Sequence, residues 1–452
     1  MRITRSIRWT GVALVGALVL SACASDEETP PEDTEGATAE EPTDGADDAG
    51  DDAEDTDGDD GGEQAAASGE PFTIGWMTDA SSVSRGTYFP EYEGASLYFQ
   101  SLNDAGGVHG RPVEVQVEDI NIDQELAVTL STQLAEDPDV IALAGGTLEG
   151  RQPGIFEVAR ANDIVFLSGH SARPDMFPPD PDPLLFTTGN VFEAMSDARV
   201  ELWPLMWQER FPDGGTTACY IHEAPAANAV CDRWLEFLES ETEWSAGPHI
   251  NAPLQTSDFS SYVQPVIEAN PETFFDISIA SHAIGVAVAA RNGGYTGPIV
   301  FSMTATPETD IQAVIDQVGP EEIYAVSNIT SIHEDDVPEI QAILDAAEQY
   351  GTEIPPNSAT VNGWLMGMII HDALERCGED CDRAGFRDAL EQTDIDTRGL
   401  TGGPLAYSPE DHVGVRYWTA YRWNPESGGL ERMLDEWISF DASEDLLAPL
   451  GE

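Results

Sequence analysis

Two clusters of polar side chains, each directly after a short apolar stretch, are the residues of this sequence best placed to do chemistry. They are Thr147, Glu149 and Arg151 after residues 140–144, and Ser168, His170 and Ser171 after residues 164–167. Each apolar run has the length and composition of a buried strand, and each cluster stands at the following turn. Hydroxyl, imidazole and guanidinium groups in such turns are suited to binding a small polar ligand.

The same residues do not form a known catalytic motif. Gly169-His170-Ser171-Ala172 lacks the G-x-S-x-G spacing, and His333-Glu334 has no second histidine four residues later. The chain has no lysine, which removes Walker A, Schiff-base and kinase ATP-lysine chemistry. We therefore predict no enzyme activity, no catalytic residue, no cofactor and no metal.

The elements that position these clusters alternate between strand and helix patterns, which predicts a doubly wound parallel α/β sheet. In such sheets ligands bind beyond the carboxyl ends of the strands. Strands are expected at 72–77, 113–117, 140–144, 164–167, 184–189, 217–222, 249–254, 274–280, 298–302 and 324–327, with a β-rich tail at 414–423. A helix is expected around 193–211, where Pro204 predicts a kink or a break.

Composition excludes one large class of partner. The chain of 452 residues has a formal net charge of −65, and all 19 of its basic residues are arginine. Nucleic-acid binding requires a basic face and is therefore excluded. The acidity indicates a strongly hydrated surface, as in a salty habitat, or else an acidic patch that recruits a basic partner.

The N-terminus has the pattern of an export signal. Three arginines precede an apolar run that ends at residue 20, and Leu20-Ser21-Ala22-Cys23 resembles a bacterial lipobox. We predict a signal peptide at 1–22, lipidation of Cys23 and a disordered acidic tether over 23–70, which has 20 acidic residues and no basic one. The alternative is an ordinary signal with an incidental cysteine. From residue 71 onward, 64 acidic residues and 16 arginines still give a net charge of −48.

Four further cysteines form an even set, which suggests disulfides in an exported chain. Pairing of nearest neighbours would join Cys219 to Cys231 and Cys377 to Cys381. For the second pair a zinc site is the alternative, although no paired histidines stand nearby.

One long motif carries a family resemblance. The string NDAGGVHGRPVEVQVED at 103–119, between a helix pattern and an alternating strand, resembles the first unit of branched-chain amino-acid-type (leucine-binding-like) substrate-binding proteins of ABC importers. Residues 257–280 and 358–378 resemble later parts of that family. An ordinary α/β turn would explain the glycines of the first motif but not the whole string.

The resemblance implies a type I periplasmic-binding-protein fold, with two doubly wound lobes joined by a three-crossing hinge. We assign residues 71–190 and 326–405 to lobe 1, and residues 191–325 and 406–452 to lobe 2.

The resemblance also implies site residues. Family members hold a ligand carboxylate in the two loops that contain Thr147 and Ser168, where Glu149 would repel it unless Arg151 pairs with Glu149. Arg85 and Tyr88 lie on the long first loop and could cap the ligand. His282 falls roughly where the family has the glutamate that binds an α-ammonium. The expected ligand is accordingly an amino acid, an amide or a small carboxylate.

Together these features predict a monomeric, exported lipoprotein on the outer face of the cell membrane. It would capture a small molecule between its lobes and deliver it to an ABC permease. The alternatives are a sensor of the same fold acting with a membrane receptor and, more remotely, a secreted hydrolase.

Overall fold

A computed structural model describes residues 66–147, 151–170, 176, 180–189, 192–223 and 227–439. The signal peptide, Cys23 and nearly all of the acidic tether lie outside the described residues, as do Glu149 and Ser171. In the described part of the chain, no helix is long and apolar enough to cross a membrane.

The first lobe is built on a parallel five-stranded sheet with the order β2-β1-β3-β4-β5. Its strands are β1 (Phe72–Thr78), β2 (Val113–Asp119), β3 (Val140–Gly145), β4 (Phe166–Ser168) and β5 (Leu185–Thr187). Its helices are α1 (Arg85–Asp104), α2 (Gln124–Glu136) and α3 (Gln152–Asn162), joined later in the chain by α9 (Pro338–Tyr350), α10 (Ser358–Cys377) and α11 (Arg383–Leu390). A two-stranded ribbon, β11 (Asp394–Ile395) with β12 (Leu405–Ala406), follows α11.

The second lobe has a larger sheet with the order β14-β13-β10-β9-β8-β6-β7, in which β13 runs antiparallel to β10. Its strands are β6 (Thr216–Glu223), β7 (Ser245–Pro253), β8 (Thr273–Asp276), β9 (Ile299–Ser302), β10 (Ile323–Ser327), β13 (Tyr417–Asn424), β14 (Gly429–Arg432) and the short β15 (Ile438–Ser439). Its helices are α4 (Phe192–Trp207), α5 (Ala227–Glu241), α6 (Gln264–Ala269), α7 (Ala280–Asn292) and α8 (Glu308–Val318).

The doubly wound, two-lobed fold expected from the sequence is confirmed. The chain passes between the lobes three times: between β5 and α4, after β10, and before β13. β10 continues in the second sheet to Ser327, two residues past the boundary assigned at 325. The last crossing follows Val415, because the segment around Val413 still pairs with Thr187, the last residue of β5.

Three local features differ from or extend the sequence expectations. Helix α8 was not anticipated, and Pro204 lies inside α4 without breaking it. The structure contains two disulfides, Cys219–Cys231 and Cys377–Cys381. The first is fully buried between β6 and α5, and the second closes the end of α10.

Candidate ligand-binding cleft

The carboxyl ends of the two parallel sheets face each other, and the loops that leave them are in contact. The Thr87 hydroxyl donates to the Ala305 carbonyl across the lobes at 3.1 Å. His170 Nε2 lies 3.2 Å from the Thr304 carbonyl oxygen, also across the lobes. The cleft between the lobes is therefore closed in this structure.

An apolar layer fills part of this cleft. Tyr88 and Ile122 from the first lobe pack with Leu254 and Ile279 from the second. Tyr88 is only 6 % exposed and meets the His170 ring edge-on, with centroids 5.0 Å apart. Tyr88 lies in the first turn of α1, rather than on the loop before it as expected, and its contact with a ligand stays a prediction.

Ile122 has a backbone conformation that is unfavourable for a β-branched residue, with φ 56°. Two bonds hold it there: its N–H donates to Asp79 Oδ1 at 2.7 Å, and its carbonyl accepts from Arg151 Nε at 2.6 Å. Strain held by neighbouring groups is common at binding sites. Here it presents an apolar side chain to the cleft.

Two of the hydroxyls expected to bind ligand are bonded within the first lobe. The Thr147 hydroxyl donates to Asp79 Oδ2 at 2.8 Å, and the Ser168 hydroxyl accepts the His170 N–H at 3.2 Å. Both side chains are fully buried. They shape the two loops, and their contact with a ligand remains a prediction.

Glu91 is a buried acid at the cleft that the sequence analysis missed. Its side chain is 0 % exposed, its Oε1 accepts from Asn362 Nδ2 at 2.6 Å, and the same oxygen lies 3.2 Å from His170 Nδ1. A Cβ at Gly169 would stand 1.5 Å from Glu91 Oε1, so only glycine lets the loop lie on this carboxylate. The missed signal was its spacing, because Glu91 stands four residues before the buried Ala95 on the same face of α1.

His282 is also bonded within its own lobe. Its Nε2 lies 3.0 Å from the Leu254 carbonyl oxygen, which can only accept, so Nε2 is the donor. Nδ1 then accepts the Tyr220 hydroxyl at 2.8 Å. Burial lowers the pKa of His282, which favours this neutral form. Neither ring nitrogen is free, so the predicted ammonium contact would require one of these bonds to break.

Two other titratable groups lie at the carboxyl ends of neighbouring strands in the second lobe. Burial lowers the pKa of His222 to about 4, and no group among the described residues forms a hydrogen bond with its Nδ1. Burial raises the pKa of Asp276 to about 7, against the opposing hydrogen bonds from Ser278. At neutral pH this wall of the cleft therefore has an uncharged imidazole and a carboxyl group that is partly protonated.

Arg85 is directed to a different part of the first lobe. Its Nη2 pairs with Glu353 at 2.5 Å, and its guanidinium lies 4.4 Å from the centre of the Phe89 ring. In this closed form it therefore contacts first-lobe groups, and a role in capping the ligand stays a prediction.

Among the described residues, one small cavity lies between the lobes. A cavity of about 10 Å³ is lined by His170, Thr304, Asn328, Ile329, Ser358, Ala359 and Asn362. That volume holds no more than about one water molecule. Larger grooves lie on the outer face of the second lobe, around the end of α4, away from both sets of loops.

The described residues contain no group of three or more histidine, cysteine, aspartate or glutamate side chains that could hold a metal ion.

Comparison with known proteins identifies one family. A sequence model described as a periplasmic binding protein matches residues 71–429. No match was found among curated proteins.

Solved structures share the fold at low sequence identity. A fatty acid ABC transporter substrate-binding protein from Thermomonospora curvata is 19 % identical, with a TM-score of 0.69 over 86 % of this chain and 97 % of that one. A solute-binding protein from R. palustris in complex with benzoate is 16 % identical, with a TM-score of 0.68 over 82 % and 96 %. A leucine-binding protein from Thermotoga maritima is 14 % identical, with a TM-score of 0.67 over 81 % and 98 %.

Proposed function

This chain belongs to the periplasmic binding protein family, and we propose that it captures a small molecule between its two lobes and delivers it to an ABC importer. The observation that carries the proposal is the cleft itself. Loops from the carboxyl ends of both sheets meet there through Tyr88 and Ile279 and through the contacts of Thr87 and His170 with second-lobe carbonyls.

Closure about the crossings provides the mechanism. Two rigid lobes joined by a few hinge residues close around a ligand, and the closed form is the one that a permease would recognise. The polar groups of the cleft orient the ligand, and its apolar layer excludes water. No chemical step is part of this function.

The finer features of the proposal come from the sequence. The protein is exported, Cys23 is lipidated, and residues 23–70 tether the lobes to the outer face of the membrane. The ligand belongs to the amino acids, amides or small carboxylates. The named ligands of two relatives, a fatty acid and benzoate, support a ligand with a substantial apolar part.

A thermal-shift screen of the full-length protein against these compound classes tests the proposal. A ligand at about 100 times its dissociation constant stabilises a protein by about 2.7 kcal/mol, which gives a clear rise in melting temperature. If neither these compounds nor the amines compared below shift the melting temperature, the proposed function is wrong.

Two matched variants locate the binding site. Ile279 is the N-cap of α7, where asparagine is favourable, so Ile279→Asn should keep the fold while removing an apolar contact of the cleft. We expect it to weaken binding at least tenfold. Leu205→Asn, on the outer face where Leu205 is 39 % exposed, should leave affinity unchanged.

Lipidation has a separate test. Metabolic labelling with a palmitate analogue should mark the wild-type protein and not Cys23→Ser. Equal labelling of the wild type and Cys23→Ser would contradict the proposed lipid anchor at Cys23.

A further inference from the structure

The buried side chain of Glu91 is only partly compensated by its neighbours. Among the described residues, no group donates a hydrogen bond to its buried Oε2. Within the described residues, no arginine lies within ion-pair distance of it, and the His170 ring is its one ionic neighbour. A buried carboxylate is costly unless a cation and hydrogen-bond donors compensate it, so this position calls for a positively charged donor.

The imidazole of His170 now stands in that position. Its Nδ1 lies 3.2 Å from Glu91 Oε1 without forming a hydrogen bond, and its Nε2 lies 3.2 Å from the Thr304 carbonyl oxygen. Both neighbours can only accept, whereas a neutral imidazole has a single N–H to donate. Acceptors from both lobes therefore converge on a single N–H-bearing group.

The surroundings of Glu91 also favour a cation over an anion. The Thr304 and Ala305 carbonyls both point at first-lobe donors. Arg151 is the cation at this edge of the first lobe, and its Nε is already bonded to the Ile122 carbonyl.

We propose that the ligand carries a protonated amine as its essential polar group, with Glu91 as the charge partner and the layer of Tyr88, Ile122, Leu254 and Ile279 around its apolar part. This inference rests on the proposed function and narrows its ligand class. The ammonium group of the ligand then lies beside Glu91 on α1 of the first lobe, because both ring nitrogens of His282 are already hydrogen-bonded. The ligand amine takes over the place that His170 holds in the closed form.

Isosteric compounds on the full-length protein give the first test. Calorimetry would compare benzylamine, benzoate and benzamide, and likewise 3-methylbutylamine, 4-methylpentanoate and leucine. We expect the amines to bind at least tenfold more tightly than the carboxylate and amide of equal size. Leucine, which has both charges, should bind no more tightly than 3-methylbutylamine.

The second test removes the charge of Glu91. Glu91→Gln keeps an oxygen for Asn362 and should weaken amine binding at least tenfold. Glu114→Gln changes net charge equally at an exposed position of β2 and should have no effect. The comparison of compounds on the unmodified protein stands even if Glu91→Gln fails to fold.

The outcomes separate the two proposals. If carboxylates bind and amines do not, the inference of an amine ligand is wrong, whereas the solute-binding function still holds. Equal amine affinity in Glu91→Gln and Glu114→Gln also overturns the amine inference. If neither this series nor the broader screen gives a ligand, both proposals are wrong.

Discussion

Glu308, at the start of α8 in the second lobe, accepts the backbone N–H of Ser358 at the start of α10 in the first lobe, with Oε2 2.6 Å from the nitrogen. Its Oε1 accepts the Ser331 hydroxyl at 2.8 Å and the Ile332 N–H at 3.0 Å. Residues 331 and 332 follow the second crossing between the lobes. One buried carboxylate therefore joins the second lobe, the crossing and the first turn of α10, where the helix dipole favours a negative charge.

Removing this carboxylate should destabilise the protein. Glu308→Ala leaves three donors without their acceptor, and each unsatisfied buried group costs about 1–3 kcal/mol. We expect the free energy of unfolding in urea to fall by about 3 kcal/mol or more. Glu308→Gln, which keeps one acceptor oxygen, should lose less, and Glu321→Ala at an exposed position should change little. If Glu308→Ala lowers the free energy of unfolding no more than Glu321→Ala does, the Glu308 carboxylate does not stabilise the contact between the lobes.

The buried carboxyl group of Asp276 should give stability a distinct pH dependence. Burial raises its pKa in the folded protein from 3.8 to about 7. Between these values the folded state binds more protons than the unfolded state, so the contribution of Asp276 is complete below about pH 4 and is lost as pH rises through 7. The slope from this group is at most about 1.4 kcal/mol per pH unit.

Urea unfolding at pH 4, 5.5 and 7 measures this effect. Asp276→Asn should flatten the decline in stability between pH 4 and 7, whereas Asp139→Asn at an exposed site should leave it unchanged. His222 acts in the opposite direction, because its lowered pKa makes its contribution disappear as pH falls from 6.5 to about 4. If the free energy of unfolding changes with pH in the same way in the wild type and in Asp276→Asn, Asp276 is not the group responsible for the decline.

Helices α1 and α10 cross at two glycines. A Cβ at Gly363 would stand 1.8 Å from the Glu91 carbonyl oxygen, and one at Gly94 would stand 2.0 Å from the Thr360 carbonyl oxygen. Backbone atoms cannot move aside as a side chain can, so Gly363→Ala should lower the unfolding free energy by about 1–3 kcal/mol or more. Gly154→Ala meets only side-chain atoms of Gln124 and Val128 and should cost less. If Gly363→Ala and Gly154→Ala lower the unfolding free energy equally, the close approach of α1 to α10 is contradicted.

The two disulfides should differ in their resistance to reduction. Cys219 and Cys231 are 0 % exposed, whereas Cys377 and Cys381 are partly exposed. Under native conditions a mild reductant should therefore open Cys377–Cys381 first, as read by alkylation and mass spectrometry.

Stability should follow the same order. The 12-residue separation of the buried pair closes a longer loop than the separation of 4, so in the loop-entropy model its removal costs more, about 2–4 kcal/mol. Replacing both cysteines of each pair by serine and comparing melting temperatures checks this. A larger loss from the Cys377–Cys381 pair would contradict the prediction.

The fold could be predicted because its signals are local. Alternating strand and helix patterns indicate doubly wound sheets, and the motif around Gly106 and Gly107 identifies the first β-α-β unit. Most boundaries fell within a few residues of the observed elements. Helix α8 was missed although Ile311, Val314, Ile315 and Val318 recur at the spacing of one helical face.

The cleft could be located but not described from the sequence. Its loops follow from the rule that ligands bind at the carboxyl ends of parallel strands. Only the tertiary structure shows which of these side chains already have hydrogen-bond partners. Thr147 bonds to Asp79, and His282 bonds to Tyr220 and to the Leu254 carbonyl. Glu91 and His170, 79 residues apart in sequence, meet only when α1 packs under the loop after β4. Periodicity fixes which face of an element is buried, whereas the pairing of charges across elements depends on distances that only the packed lobes define.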